Sequence, residues 1–282
     1  MSLVQTQSQL PYQIVRKIGE GSAIVYQART NGIGLPGIVA VKATTPGRAL
    51  QEARILASLD HPGIPRFYGL IEDDIQSFVI MDYIEGETLA QYLKSFLDRG
   101  TLPPQKQVLR IGMQLSEILN YLHTRSLPIT FHDVKPENVM LTPDGRLYLI
   151  DFDIACMHTG MENNDFFISG TPDYMAPEQM LGMSFTSPRS DIYSLGATLY
   201  YLLTGHHCTM NRRETAQNRA FMRLPLSLRH LLLWMTAPDP QDRPTDMRIV
   251  GEALRQAFLV DREAGSSQFA QVIHHLEVEL HR

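Results

Sequence analysis

The pattern of apolar residues changes character after Gly100. Before it, short β-branched runs among glycines predict strands over residues 12–46 and at Ser77–Met81, with one helical period at residues 48–59. After it, apolar residues recur at helical spacing and predict a series of helices: Gln105–His123, Asp191–Leu203, Leu226–Met235 and Met247–Phe258. A strand-rich front and a helical back predict an α+β architecture with two lobes.

Composition and charge exclude several classes of protein. The 282 residues include 25 Lys and Arg against 30 Asp and Glu, without the basic stripe that nucleic-acid binding needs. The two cysteines, Cys156 and Cys208, lack the spacing of a zinc site or a disulfide framework, which favours a reducing compartment. The longest apolar stretches, such as Leu231–Met235, are too short to span a membrane, and the N-terminus is unlike a signal peptide. We therefore expect a cytoplasmic protein with no nucleic-acid partner and no membrane span.

A glycine turn and a lysine lie close together in the predicted strands. Gly19-Glu20-Gly21 separates two strands, and Lys42 ends the apolar run Val39–Val41. Glycines let backbone N–H groups approach phosphates, and the lysine adds an ammonium group beside them. Glu52, on the next helix, could pair with that lysine. Taken singly, these features have plainer explanations, namely a hairpin turn, a solvated lysine and a surface glutamate.

The segment Phe131–Asn138 carries the strongest chemical signal. A phosphoryl acceptor hydroxyl needs a carboxylate to accept its proton, the transferring group needs a cation, and a metal needs an oxygen ligand. Asp133, Lys135 and Asn138 supply these in order from one short loop. Asp151 follows at the end of an apolar strand, where a carboxylate suits a Mg²⁺ ion that bridges phosphates.

Taken in order, these segments resemble the eukaryotic-type protein kinases. The residue sequences of the Phe131–Asn138 loop and of Leu141–Arg146 resemble those of bacterial members. The resemblance implies a protein kinase domain over residues 1–282, with a small antiparallel-sheet N-lobe and one helix at about 10–84 and a larger, mainly helical C-lobe at about 85–258. The resemblance covers roughly residues 12–257. The ordered set of motifs is more specific than any one motif alone. The motifs are Val39–Lys42, Asp133–Asn138, Asp151–Phe152, Gly170–Glu178, Ser190–Gly196 and Asp242–Pro244.

The resemblance also implies a function and a set of site residues. It implies a serine/threonine protein kinase that transfers the γ-phosphoryl group of ATP to protein hydroxyls, with Mg²⁺ or Mn²⁺ as the metal. The implied roles are Asp133 as the base, Lys135 at the γ-phosphate, Lys42 at the α- and β-phosphates and paired with Glu52, and Asn138 and Asp151 as metal ligands. The implied nucleotide contacts are Ile18, Gly19, Gly21, Val25, Ala40, Lys42, Met81, Asp82, Ile84 and Met140.

Other residues resemble the structural supports of the same family. Glu178 and Arg243 resemble the buried ion pair of the helical lobe, and Asp191 resembles the anchor of the catalytic loop. Lys135 together with Thr171 is typical of serine/threonine rather than tyrosine kinases. Thr171 is expected to hydrogen-bond near Asp133 and Lys135 as an unmodified hydroxyl.

Four departures from the family pattern bear on activity. The glycine loop is one residue shorter than usual and lacks its third glycine, which predicts a smaller cover over the phosphates. Lys42 and Glu52 are 52 − 42 = 10 positions apart, which predicts a short connection from strand to helix.

The other two departures lie further along the chain. His132 replaces the arginine that binds a phosphorylated loop, and the segment 153–170 contains no Lys or Arg, so we expect activity without phosphorylation there. Asp153 replaces the glycine of Asp-Phe-Gly, and we expect its side chain to face solvent or cap a turn.

Two alternatives stay open at this point. The first is a pseudokinase that binds nucleotide or acts as a scaffold, which the four departures favour, although all the chemically indispensable residues are present. A small-molecule kinase is disfavoured, because the chain contains the peptide-docking segment Gly170–Glu178. The second alternative concerns an amphipathic helix predicted at about 266–281, which either packs on the helical lobe or binds a partner.

Overall fold

The computed structural model describes residues 12–21, 23–30, 35–72, 75–158, 170–181, 187–209 and 212–259. These residues form two compact units. The first contains the described residues up to Gly86 together with Met140–Ala155, and the second contains Glu87–Val139 and the described residues from Cys156 onward. This division agrees with the two-lobed α+β architecture that the sequence predicts.

Strands dominate the described chain before Gly100, and helices dominate it afterwards, as the sequence predicts. In chain order they are β1 (Tyr12–Glu20), β2 (Ile24–Thr30), β3 (Ile38–Thr44), α1 (Pro46–Ala57), β4 (Phe67–Ile71), β5 (Ser77–Asp82), β6 (Glu87–Thr88), α2 (Leu89–Leu97), α3 (Gln105–His123), β7 (Ile129–Thr130), β8 (Val139–Leu141), β9 (Leu147–Leu149), β10 (Cys156–Met157), α4 (Pro177–Met180), α5 (Pro188–Thr204), α6 (Arg212–Gln217), α7 (Arg219–Met222), α8 (Leu226–Met235) and α9 (Met247–Leu259).

The first unit is built on a five-stranded antiparallel sheet in the order β1-β2-β3-β5-β4. The central strand, β3, is buried at every residue except Ile38, which explains its unbroken apolar sequence. Val39 and Val41 share a core cluster with Tyr12, Ala28 and Ile80. Because side chains alternate along a strand, Ala40 and Lys42 lie on the opposite face of the sheet.

Helix α1 follows β3 after a single residue, Thr45. Pro46 is tolerated because the first turn of a helix needs no N–H donor from it. The buried residues of α1 include Glu52 as well as apolar Ile55 and Leu56. The helix begins and ends two residues earlier than predicted, and the short connection expected from the Lys42–Glu52 spacing is this one residue.

A tight hairpin joins β8 and β9. The Thr142 N–H donates to Arg146 O at 3.0 Å, and Gly145 has a φ of 83°, which glycine adopts without strain. This is the turn that Pro143–Gly145 predicts. Gly86 lies directly against this hairpin, and a Cβ atom placed there would be 2.3 Å from Leu141 O.

The second unit is helical, with α5 at its centre. All but three residues of α5 are buried, as expected for a helix that is apolar on every side. Ser187 caps its start, and Gly205, with a φ of 71°, ends it. Helix α3 packs along α9 at close range, because a Cβ atom at Gly251 would be 2.7 Å from Ser116 Oγ.

Helix bounds follow from the sequence better than the loops do. The bounds predicted for α3 and α8 agree with the structure, while α5 starts three residues before the predicted Asp191. In the described part of residues 153–190, neither β10 nor α4 was predicted from the sequence. The helix predicted at 266–281 lies outside the described residues. None of the described helices is long and apolar enough to cross a membrane.

Candidate active site

Lys42 and Glu52 form a buried ion pair within the first unit. Lys42 lies on β3 between Val25 of β2 and Val79 of β5. Its Nζ is 2.8 Å from Glu52 Oε2, and the Asp151 carboxylate also contacts it. Lys42 is 3% exposed and Glu52 is fully buried, so neither is the surface residue that the plainer explanations assumed.

The electrostatics of this pair depend on a surplus of negative charge. Burial alone would lower the pKa of Lys42, but the carboxylates of Glu52, Asp151 and Asp153 outweigh burial and raise it. Burial raises the pKa of Glu52, and the Lys42 ammonium opposes that shift. The lysine therefore stays charged at neutral pH, as a group that binds phosphates must.

The loop after β9 holds Asp151 beside Lys42. Asp151 has a φ of 71°, a left-handed conformation that Asp tolerates better than most residues. The next residue, Phe152, is buried, and its N–H donates to Glu52 Oε1 at 3.1 Å. Glu52 therefore contacts both the lysine and the loop that carries the candidate metal ligand.

The expectation for Asp153 was wrong. Residue 153 does lie in the turn that the Ala155 N–H closes onto Phe152 O, but its side chain is 6% exposed and forms an ion pair with Arg48 Nη1 at 3.2 Å instead of facing solvent. A buried carboxylate needs a cationic partner, and that partner is 105 residues away in the sequence. The rule that Asp favours turns describes the local backbone and could not anticipate this partner.

A second group of polar side chains surrounds Asp133 in the second unit. Lys135 Nζ lies 2.7 Å from Asp133 Oδ2, and the Asn138 amide donates to Asp133 Oδ2 at 2.8 Å and to Asp133 O at 3.0 Å. Thr171 donates to Asp133 Oδ1 from its N–H at 3.2 Å and from its hydroxyl at 3.1 Å. Lys135 Nζ also donates to Thr171 Oγ1 at 2.6 Å, so the threonine lies where it was expected.

Asp191 holds the backbone of this loop in place. Its carboxylate is fully buried and accepts hydrogen bonds at 2.8 Å from the N–H groups of Phe131 and His132. His132 has a φ of 70°, which is costly for a residue with a Cβ and needs such support. Burial alone would raise the pKa of Asp191, but the hydrogen bond from His123 and the nearby charges lower it.

Comparison with known protein families agrees with what the arrangement of the site residues indicates. The family described as protein kinase domain matches residues 12–259. The chain belongs to this family. The match covers the described residues of both units, and with them the Lys42 pair and the Asp133 loop.

Among curated proteins, this kinase domain is similar to bacterial and animal kinases. It is 31% identical to the serine/threonine-protein kinase PrkC of Bacillus subtilis over 276 residues, which cover 89% of this chain and 41% of that protein. It is 28% identical to PknD of Chlamydia trachomatis (89% of this chain, 32% of that protein) and 30% identical to the mouse sperm motility kinase 2A (70% and 39%). The chain thus spans less than half the length of these relatives.

The ion pair of the helical unit is fully formed in this kinase domain. Arg243 Nη1 and Nη2 each donate to one oxygen of Glu178 at 2.7 Å, and Ser190 Oγ donates to the same carboxylate at 2.7 Å. Arg243 has an unexposed side chain, so the pair is a buried bidentate one.

The ten residues implied as nucleotide contacts all lie in the first unit. The Gly21 N–H donates to Ala23 O at 3.0 Å and closes the glycine turn. A Cβ at Gly21 would meet nothing within 4 Å, so open space surrounds the turn. The Asp82 carboxylate accepts hydrogen bonds from the Tyr68 hydroxyl at 2.5 Å and from the Arg66 N–H at 3.0 Å. The Asp82 N–H donates to Arg66 O at 3.0 Å, so this donor is not available to a ligand.

Two residues of the site escaped the sequence analysis. His123 Nε2 lies 2.8 Å from Asp191, and Arg48 pairs with Asp153. Position on a predicted helix is the only signal that either residue gives, and it does not distinguish them from surface residues.

Proposed function

We propose that this domain transfers the γ-phosphoryl group of ATP to serine or threonine hydroxyls of proteins. The observation that carries the proposal is the hydrogen-bonded group of Asp133, Lys135, Asn138 and Thr171. A carboxylate with a lysine and a threonine hydroxyl on it is equipped to receive an alcohol and a phosphoryl group.

Each of these residues has a distinct task in the proposed reaction. Asp133 orients the acceptor hydroxyl and accepts its proton, while Lys135 neutralises charge on the γ-phosphoryl group. Lys42 contacts the α- and β-phosphates, and its pairing with Glu52 at 2.8 Å fixes where its ammonium lies. Thr171, bonded to both Asp133 and Lys135, favours serine and threonine as acceptors, as in the family pattern.

The proposed metal ligands are donors of the kinds that divalent cations prefer. Both N–H groups of the Asn138 amide donate to Asp133, which leaves Oδ1 of Asn138 as the amide atom that can bind a metal. Asp151 contributes a carboxylate that is 28% exposed. Carboxylate and amide oxygens suit Mg²⁺, with Mn²⁺ as a substitute. When bound, the ion neutralises the phosphate charge and orients the phosphates.

The alternative is a pseudokinase that binds nucleotide or serves as a scaffold. One observation favours it: the Asp151 carboxylate contacts Lys42, so metal binding must compete with this ion pair. Against it, every residue that phosphoryl transfer requires is present, and Asp133, Lys135 and Asn138 already lie in one hydrogen-bonded group. The reading as an active kinase therefore has the stronger support.

A phosphoryl-transfer assay tests the proposal. We expect labelled phosphate from [γ-³²P]ATP to appear on serine or threonine of a basic acceptor protein with Mg²⁺ or Mn²⁺, and to disappear in Asp133→Ala. Circular dichroism of both proteins checks that the variant is folded. If the wild-type domain binds ATP but transfers no phosphate with either metal, it is a pseudokinase.

We further propose that the domain acts in the cytoplasm. Cys156 and Cys208 are both free thiols, as a reducing compartment would keep them. Fractionation of cells that produce the protein, followed by detection with an antibody, tests this. Recovery in the secreted or periplasmic fraction would contradict it.

A further inference from the structure

Helix α1 is bonded to the loop after β9 along one of its faces. Arg48, Gln51 and Glu52 are spaced so that they share this face. Arg48 pairs with the Asp153 carboxylate at 3.2 Å, Gln51 Nε2 donates to Ala155 O at 2.8 Å, and Glu52 Oε1 accepts from the Phe152 N–H at 3.1 Å. Two adjacent turns of the helix therefore hold the loop at three positions, 152, 153 and 155.

Asp153 is the unusual member of this set, because the family pattern has a glycine at its position. Its carboxylate is 6% exposed and lies close enough to Asp151 for the two charges to repel. Such a group is tolerated only when cations compensate it. The cations that do so are Lys42, through space, and Arg48, by direct contact.

We propose that Arg48 and Asp153 are positioning residues that hold α1 and the 151–155 loop in the arrangement where Lys42 meets Glu52. This proposal rests on the proposed kinase function, because the Arg48–Asp153 pair would serve to place Lys42 and Asp151 for the nucleotide. Arg48 holds helix α1 and the loop in this arrangement through an ion pair within the first unit, without any modification of the chain.

The two partners of the pair differ in exposure, and this asymmetry makes the proposal testable. The Arg48 side chain is 48% exposed, so it can turn to solvent when it loses Asp153. Asp153 cannot, and without Arg48 it is left as a buried charge beside Asp151. Loss of Arg48 should therefore be harmful only while Asp153 is present.

The experiment compares Arg48→Ala, Asp153→Ala and the double variant by steady-state kinetics. Alanine fits at 153, because the family's glycine has an even smaller side chain. We expect Arg48→Ala to raise the KM for ATP about three- to tenfold without changing the KM for the protein acceptor. In the Asp153→Ala background the same substitution should change the KM for ATP by less than about twofold. Simple loss of folded protein would lower kcat and leave both KM values unchanged.

Two further variants control the comparison. Arg48→Lys keeps the charge and should recover most of the wild-type KM for ATP. Arg146→Ala removes an arginine that pairs with Asp144 at 2.7 Å in the same unit but is 63% exposed, and it should change little. If Arg48→Ala behaves like Arg146→Ala, or if the effects of Arg48→Ala and Asp153→Ala multiply, the proposal is wrong.

A readout without nucleotide separates this proposal from the proposed function. Hydrogen exchange followed by mass spectrometry reports the Phe152 amide and helix α1 directly. Faster exchange of both in Arg48→Ala, but not in Arg146→Ala, supports the proposal even if the wild-type domain transfers no phosphate. Unchanged exchange in Arg48→Ala overturns it, whatever the transfer assay gives.

Discussion

Replacing Arg243 with methionine should remove a large share of the stability of the helical unit. The guanidinium group is unexposed and has all five of its N–H donors in use. Two bind the Glu178 carboxylate at 2.7 Å. The other three bind backbone carbonyls, namely those of Ala237 at 2.7 Å, Pro238 at 2.9 Å and Arg189 at 3.0 Å.

The magnitude follows from what methionine leaves behind. It fills much of the volume of arginine but leaves without this partner a buried carboxylate, the buried carbonyl of Ala237 and the partly buried carbonyls of Arg189 and Pro238. Removing one partner of a buried ion pair costs about 3–5 kcal/mol, which is a large part of the roughly 5–15 kcal/mol that stabilises a typical domain. The double variant Glu178→Leu/Arg243→Met should be more stable than Arg243→Met alone, because it leaves no uncompensated charge.

Tryptophan fluorescence during urea unfolding measures this effect. The chain has one tryptophan, Trp234 in α8, and its carbonyl accepts a hydrogen bond from Ala237, the residue that also binds Arg243. The probe therefore reports the unit in which the pair lies. Arg248→Met, at an arginine of the same unit whose side chain is 63% exposed, should change the free energy of unfolding by no more than about 0.5 kcal/mol. A loss below about 1.5 kcal/mol for Arg243→Met, or a double variant less stable than it, would refute the reasoning.

The same pair gives this unit a defined sensitivity to acid. Burial alone would raise the pKa of Glu178, but the hydrogen bonds and charge of Arg243 hold it below its ordinary range. Because the folded pKa is the lower one, the stabilisation is complete well above pH 4.5 and is lost as the pH falls through the folded pKa. The stability advantage of the wild type over Glu178→Gln should therefore shrink between about pH 6 and pH 3.

Three further predictions concern activity and packing. Asp133→Asn should lower kcat at least about a hundredfold, since it removes the base, while calorimetry shows ATP binding nearly unchanged; a variant with near wild-type turnover would exclude Asp133 as the base. Gly86→Ala should lower the free energy of unfolding by about 1–3 kcal/mol, because its Cβ would lie 2.3 Å from Leu141 O, whereas Gly47→Ala, with open space around it, should not destabilise; equal thermal midpoints would contradict this. Phosphatase treatment should leave activity within about twofold of its starting value, because His132 offers no bidentate grip on a phosphate, and a large loss would show that a phosphate clamp exists.

The sequence predicts the parts of this fold that are set by short-range residue patterns. Helix α3 follows from its apolar spacing, and the hairpin at Pro143–Gly145 follows from its turn residues. That the connection between β3 and α1 is short follows from counting between Lys42 and Glu52, although the helix begins two residues before its predicted start. Each of these depends on residues close together in the chain, which is the range over which pattern rules hold.

What escaped prediction depends on partners that are far apart in the sequence. Local preference places Asp153 in a turn, as the structure does, but it does not indicate that the side chain is buried against Arg48. His123 reaches Asp191 across 68 positions. A single sequence gives the chemical type of such residues but not the pairing that decides whether each is buried or exposed.

The one-residue connection at Thr45 also limits which inhibitors this domain can accept. A single residue spans at most about 3.6 Å, so the start of α1 cannot move away from the end of β3 while that strand stays paired. Moving it outward would first require Ala43 and Thr44 to separate from Phe78 and Ser77 of β5. Compounds that open a pocket by displacing this helix should therefore bind this domain poorly, and compounds that leave the helix in place are the better starting point for its inhibition.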